Sequence, residues 1–138
     1  MATSLREWAR EYACHRQKSR GVAYELLESS QNVDFVIKTS TKQEGYSVCE
    51  DLDHLSLAQI PPMAWFVVTL HTKKNNRTLI ERWKEYAAKE RLVLVFVNPE
   101  SKNEKYWIIH PSLHDAVADP ATLKAGLASM AGLVDFVE

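Results

Sequence analysis

Two apolar runs decide the fold of this chain: Trp65-Phe-Val-Val-Thr-Leu70 and Arg91-Leu-Val-Leu-Val-Phe-Val97. Between them lie a polar, basic stretch, His71 to Arg77, and a segment with helical spacing, Thr78 to Glu90. Thr78-Leu-Ile-Glu81 has the pattern of a capping box, which predicts that the helix begins there. A strand, a helix and a strand in this order predict two parallel strands joined by a crossover.

The carboxyl end of the first apolar run carries a polar, partly cationic cluster. His71, Lys73 and Lys74 come directly after Leu70. Ligands of open α/β sheets bind outside the carboxyl ends of the strands. Imidazole and ammonium groups at this position suit an anion or a metal ion, so we expect the functional site here.

The rest of the chain predicts helices at both ends and further strands between them. Ser4-Leu-Arg-Glu7 reads as a capping box, and residues 1–31 are expected to be helical. Val33 to Lys38 alternates in the manner of a strand, and Lys105 to His110 is expected to form a hairpin with the second apolar run. Residues 111–138 are predicted to be carboxyl-terminal helices. We therefore predict a single α/β domain across all 138 residues, with one mixed sheet of about five strands and helices on both faces.

The composition is that of an ordinary globular protein, with 46% hydrophobic and 25% charged residues. The formal net charge is −1, so a strongly basic polyanion-binding protein is not expected. The apolar runs are far shorter than the roughly 20 residues of a membrane span, and the amino end lacks an apolar signal-peptide core. Cys14 and Cys49 match no metal spacing. We expect a cytoplasmic chain with reduced thiols and no membrane association.

Three segments, each ending in a charged residue, follow one another in an order that has a known counterpart. They are Gly21-Val-Ala-Tyr-Glu25, Asp51-Leu-Asp53, and Phe66-Val-Val-Thr-Leu-His-Thr-Lys73. This layout resembles the restriction-endonuclease-like PD-(D/E)xK nucleases, in particular the small archaeal Holliday-junction resolvases. In that family a helix carries a Glu, an Asp follows a hairpin, and a strand ends in Glu-x-Lys. The resemblance implies a restriction-endonuclease-like fold.

The same resemblance implies a catalytic site of Glu25, Asp53, His71 and Lys73, in which Asp53 and His71 hold a divalent metal, Mn²⁺ or Mg²⁺. His71 stands where the family has Glu. Because imidazole replaces a hard, negatively charged ligand, Mg²⁺ would bind poorly and Mn²⁺ or Zn²⁺ better. We therefore expect weak or lost phosphodiesterase activity. The residues expected to bind DNA or RNA are Arg16, Lys18, Arg20, Lys73, Lys74 and Arg77.

A second resemblance leads to a different function. Val36-Ile-Lys-Thr-Ser-Thr-Lys42, Gly45-Tyr-Ser-Val48 and the strand, helix and strand of residues 65–97 also resemble the carboxyl-terminal domain of tRNA-splicing endonuclease subunits. Those enzymes use Tyr, His and Lys. Other residues stand at or near these positions by strand alignment: Cys49, Pro62 and Glu90. This resemblance implies a structural subunit rather than a cutting one.

The alternative function is therefore a non-catalytic structural or interaction subunit of a larger nucleic-acid-processing complex. Such a chain would form a homodimer or join other subunits through an apolar face. The carboxyl-terminal helix offers one, with apolar residues at helical spacing: Leu123, Leu127, Met130 and Val134.

Overall fold

The computed structural model describes residues 4–28, 33–58, 61 and 63–137, which form an α/β fold with one open sheet of six strands. The strands are β1 (Glu25–Glu28), β2 (Phe35–Lys38), β3 (Gln43–Val48), β4 (Ala64–Leu70), β5 (Leu92–Val97) and β6 (Tyr106–Ile109). The helices are α1 (Leu5–Ser19), α2 (Lys73–Glu81), α3 (Trp83–Ala87), α4 (Pro111–Val117) and α5 (Leu123–Ala131), with a 3₁₀ turn at Leu52–His54. In this part of the chain, no helix has the length and apolar character needed to cross a membrane.

The sheet is mixed, and its strands lie side by side in the order in which they occur along the chain. β3, β4 and β5 are parallel to one another, whereas β1, β2 and β6 are each antiparallel to their neighbours. The predicted parallel pairing of the two apolar runs is confirmed, since Trp65 lies opposite Leu92 and Leu70 opposite Val97.

The sixth strand, β1, lies where the sequence predicted a continuation of the amino-terminal helix. α1 begins as predicted, with the Ser4 hydroxyl accepting from the Glu7 N–H. It ends in a Schellman motif, because Gly21 has φ +67° and the Val22 N–H donates to the Gln17 carbonyl. After this stop, residues 25–28 pair with β2. The helical prediction for residues 22–27, and with it the helix expected to carry Glu25, is therefore wrong.

The two central strands divide the core into two layers. In β4, Trp65 and Val67 face one layer and Phe66 and Val68 face the other. α1 covers the second layer with its small buried face, whereas the helices after β4 cover the first. These strands are nearly continuously apolar because helices cover both faces of the sheet. Each fully buried large apolar side chain stabilises the folded state by about 1.5–3 kcal/mol.

The crossover helix begins five residues earlier than the capping-box pattern predicted. The Thr72 hydroxyl accepts from the Asn75 N–H and caps α2, so the basic stretch forms the first turns of the helix rather than a loop. The buried Asn75 amide accepts from the Leu52 N–H (2.9 Å) and donates to the Leu70 carbonyl (2.8 Å). The Asn75 side chain thus joins the first turn of α2 to the 3₁₀ turn and to the end of β4.

Both carboxyl-terminal helices are present, and the apolar face of α5 points inward. α5 ends at Ala131, so Val134 lies beyond the helix. Leu127 and Val134 are each only 2% exposed, and Leu123 and Met130 pack against the same core. The apolar stripe that was expected to pair with a partner is therefore part of the core.

We predict opposite effects of alanine at two glycines. A Cβ at Gly45 would lie 2.9 Å from the Met63 Sδ and 3.1 Å from a Val33 methyl, so Gly45→Ala should lower the free energy of unfolding by about 1–2 kcal/mol through overpacking. At Gly126, in α5, a Cβ would meet nothing within 4 Å. Gly126→Ala should therefore raise the free energy by about 0.5–1 kcal/mol. Urea unfolding measures the free energy of unfolding of each variant. Equal changes in the two variants would contradict the close packing around Gly45.

Candidate functional site

The carboxyl end of β4 was expected to form the site, and His71 lies there. Its backbone N–H donates to the Val97 carbonyl (2.8 Å), which extends the pairing of the two strands by one residue. Its side chain has no exposed surface. His71 therefore lies in the core at the end of the sheet and is not open to solvent.

Both ring nitrogens of His71 are hydrogen-bonded. The Trp107 Nε1–H, which can only donate, lies 3.0 Å from Nδ1, so Nδ1 is the acceptor. Nε2 then carries the proton and donates to the Val134 carbonyl at 3.1 Å. The Asn76 amide also approaches Nδ1, at 3.2 Å. This neutral tautomer leaves neither nitrogen free to bind a metal or to accept a proton from a substrate.

A carboxyl-terminal segment, residues 133–137, covers this end of the sheet, and we call it the strap. The Phe136 ring stacks on the His71 ring, with centroids 4.5 Å apart and planes within 6°. The Val137 N–H donates to the His71 carbonyl (2.9 Å), and Asn98 donates to the Asp135 carbonyl (2.8 Å). The strap therefore occupies the place where a ligand was expected.

The predicted acidic loop is neutralised by the first turns of α2. Lys74 Nζ lies 2.7 Å from Asp51 and 3.5 Å from Asp53. This ammonium group holds the pKa of the Asp51 carboxyl below its usual range. The Thr78 hydroxyl donates to Asp53 at 3.2 Å. Asp53 and Lys74 thus form one local cluster that ties the loop to the helix.

Glu25 is not part of that cluster. It lies exposed on the edge strand β1, opposite Lys38 of β2. Three strand spacings separate β1 from β4, which is roughly 14 Å. The structure therefore does not bring Glu25 together with His71 or Lys73.

These residues do not fit a divalent metal. The His71 nitrogens are both hydrogen-bonded, and Asp53 is paired with Lys74 and Thr78. Among the residues that the structure describes, no three His, Cys, Asp or Glu side chains converge to hold a metal ion. The described residues therefore do not assemble the expected Mn²⁺ or Mg²⁺ site.

The cationic residues predicted to bind nucleic acid fall into two groups on opposite faces of the sheet. Arg16, Lys18 and Arg20 belong to α1 or its end, which covers one core layer, and the cations of α2 lie over the other. Arg16 is engaged, because its Nη1 lies 2.8 Å and 3.0 Å from the two carboxylate oxygens of Glu44. Glu44 is only 2% exposed and also accepts from Gln17. Two other arginines of α1 pair with carboxylates of the sheet: Arg6 with Asp34 and Arg10 with Glu28.

An open groove lies between α2 and α5, beside the strap. It has a volume of about 440 Å³, within the range of about 300–1,000 Å³ typical of small-molecule sites. α5 contributes an apolar wall of one large and several small residues, and the strap contributes Phe136. The residues that line it are Lys73, Asn76, Arg77, Leu79, Ile80, Leu127, Ala128, Ala131, Gly132 and Phe136.

Two unpaired cations border this groove. Lys73 and Arg77 are exposed and one helical turn apart, and neither forms an ion pair with any of the described carboxylates. Lys73 Nζ lies 6.0 Å from the centre of the Phe136 ring. The first turn of α2 has no acidic residue, although the positive end of the helix dipole favours one. Two cations without a partner among the described carboxylates therefore lie at this end of the groove.

Sequence reasoning missed the groove, although one signal was present. Lys73, Asn76, Arg77 and Ile80 have the i, i+3, i+4, i+7 spacing of one helix face. The capping-box pattern predicts a helix that begins at Thr78, so most of this face lies outside the predicted helix. The small residues of the opposing wall became meaningful only once α5 was placed against α2.

No family model matches the sequence, and searches of curated proteins and of solved structures found no similar protein. The functional interpretation therefore depends on the geometry alone.

We predict that the free energy of unfolding falls as the pH drops below about 6.5. Burial lowers the pKa of His71 from its ordinary value of 6.5. Below that value the unfolded chain binds a proton that the folded chain excludes, so the native state loses at most about 1.4 kcal/mol per pH unit from this group. Urea unfolding at several pH values between 7.5 and 5 gives the slope of the free energy of unfolding against pH. This slope should be smaller for His71→Gln than for the wild type. The exposed-site control His15→Gln should retain the slope of the wild type, and an equal slope in all three proteins would refute this assignment.

We also predict that the ion pair of Arg16 stabilises the fold far more than the ion pair of Arg6. Arg16→Ala leaves the buried Glu44 with only Gln17 and Lys42, whose Nζ is 3.4 Å away. The cost should be about 3 kcal/mol, at the low end for a broken buried pair. Arg6→Ala removes an exposed pair with Asp34 and should cost under about 1 kcal/mol. Chemical denaturation measures the free energy of unfolding of both variants. Equal losses in Arg16→Ala and Arg6→Ala would show that the buried Glu44 does not need the Arg16 guanidinium.

Proposed function

We propose that this chain is a non-catalytic binding domain and that the groove between α2 and α5 is its ligand site. The observation that carries the proposal is an open cavity of about 440 Å³ that combines an apolar wall with the unpaired cations Lys73 and Arg77. A cavity with a mostly apolar lining and a few well-placed polar groups is the usual form of a ligand site.

The arrangement of the predicted catalytic residues also supports binding over cleavage. Phosphodiester hydrolysis by a metal requires carboxylates that converge on one or two cations. Here Glu25 lies on a distant edge strand, Asp53 is paired with Lys74, and His71 is enclosed beneath the strap. Nuclease ancestry stays a prediction, and it is independent of the groove.

Nucleic-acid binding is the competing proposal, and the charges argue against a large site of this kind. Polyanion binding requires several cations on one surface. The two cationic groups lie on opposite faces of the sheet, and Arg16 and Lys74 are already paired with carboxylates. Titration of single-stranded and branched DNA and RNA across a salt series separates the proposals. A steep dependence of affinity on salt that is lost in Lys73→Gln/Arg77→Gln would favour nucleic acid.

The proposed function predicts that a neutral apolar dye binds in the groove. N-phenyl-1-naphthylamine fluoresces strongly in apolar sites and carries no charge. Ala128 is an exposed residue of α5 that lines the groove, so Ala128→Phe should fill it without entering the core. We expect dye binding to the wild type and a loss of roughly tenfold or more in affinity for this variant.

The matched control is Ala125→Phe, which adds the same ring at an exposed position of α5 outside the groove. It should bind the dye as the wild type does. Circular dichroism and urea unfolding would show that both variants fold. Absence of dye binding to the wild type, or equal binding by all three proteins, would refute the groove as a ligand site.

A further inference from the structure

The groove has a directional arrangement of charge. Lys73 and Arg77 lie toward the amino-terminal end of α2, whereas Ile80, at the next turn, continues the same face as an apolar residue. Across from them, Leu127 and Ala131 are buried and line the wall. A ligand that lies along this groove would therefore meet cations at one end and hydrocarbon along the rest.

The chemistry of the cationic end favours an anion. Positions i and i+4 on a helix bring side chains to within about 5–6 Å of each other, so one small anionic group can reach both Lys73 and Arg77. The guanidinium offers paired N–H donors that match the two oxygens of a carboxylate. The dipole of α2 adds positive potential at the same end.

The chemistry of the remaining wall excludes a uniformly polar ligand. Burying sugar hydroxyls or further phosphates against Ile80, Leu127 and Ala131 would remove their water without offering hydrogen bonds, which costs free energy. A hydrocarbon body gains free energy in proportion to the apolar area that it removes from water. The volume of about 440 Å³ suits a small molecule.

We propose that the groove binds an amphipathic monocarboxylic acid, with its carboxylate on Lys73 and Arg77 and its hydrocarbon body along Ile80, Leu127 and Ala131. This inference rests on the proposed function, because it names the chemical class of the ligand for the same groove. It goes further in requiring that the charged end, and not only the apolar wall, contributes to affinity.

Decanoate, used below its micelle concentration, is the probe that tests the inference. Titration calorimetry and amide chemical shifts of the wild type should show one site, with shifts confined to α2, α5 and the strap. Decanol and decyltrimethylammonium have the same chain without the negative charge and should bind at least tenfold more weakly. Acetate, which lacks the chain, should not bind measurably.

Charge removal provides the second arm of the experiment. Lys73→Met/Arg77→Met keeps the apolar stems and removes both cations, so decanoate should bind roughly tenfold more weakly or worse, while decanol binding stays unchanged. Lys124→Met removes an exposed cation of α5 outside the groove and should leave decanoate binding as in the wild type. Urea unfolding confirms that each variant is folded.

The outcomes separate this inference from the function on which it rests. If N-phenyl-1-naphthylamine binds but decanoate does not, or if decanol binds as well as decanoate, the groove remains a ligand site and the anionic class is wrong. Equal decanoate binding by the wild type and the Lys73→Met/Arg77→Met variant overturns the inference in the same way. Decanoate binding that survives Ala128→Phe places the acid elsewhere and also overturns it.

Discussion

The buried imidazole of His71 is the contact on which this end of the molecule depends. It joins four parts of the fold: the end of β4, which it follows directly, Trp107 of β6, Asn76 of α2 and the strap. These partners are satisfied only by the neutral ring with its proton on Nε2. Replacing the ring with an apolar side chain would leave the Trp107 N–H and the Val134 carbonyl buried without partners, which is costly. His71 is therefore committed to the core, and its chemistry is not available to a substrate.

The sheet topology explains why the proposed ligand site lies away from the strand ends. Ligands of open α/β sheets bind in the crevice formed where the strand order reverses. Here the six described strands follow one another in chain order, and Leu52 and Leu79 show that both crossovers pass over the same core layer. The connections from β3 to β4 and from β4 to β5 therefore leave no crevice between them at the strand ends. The strap covers the end of the sheet beside His71. The cavity proposed to hold a ligand lies instead between two helices of that layer, α2 and α5.

The two groups of cations illustrate how similar residues acquire different roles. The arginines of α1 bind the carboxylates of Asp34, Glu28 and Glu44, and so fix the helix to the sheet. Lys73 and Arg77 pair with none of the described carboxylates, and Lys73 is the first residue of α2, where the helix dipole disfavours a cation. A positive charge held in an unfavourable place beside an apolar cavity is more informative about function than the larger number of arginines elsewhere. The fold alone does not show which cations are paired with carboxylates and which border a cavity, because function depends on the local site.

Local patterns in the sequence were sufficient to predict two kinds of element. These are elements whose contacts lie close along the chain and strands that are buried on both faces. The parallel pair of β4 and β5 follows from two apolar runs, and the start of α1 from Ser4 and Glu7, three residues apart. β1 could not be predicted, because Leu26 and Leu27 suit a helix or a strand and only pairing with β2 decides between them. The first turn of α2 is likewise held by a distant contact, because the Asn75 Oδ1 accepts from the Leu52 N–H, 23 residues away.

The sequence by itself therefore determined the α/β class, the central strands and the position of a basic stretch after β4. Tertiary structure decided what that stretch does. His71 and Trp107 are 36 residues apart, and His71 and Val134 are 63 apart, so no local pattern could show that the imidazole is enclosed. The groove, too, exists only because α5 packs beside α2. Burial and ligand geometry arise from contacts between distant segments, and those contacts are set by the packing of the whole chain.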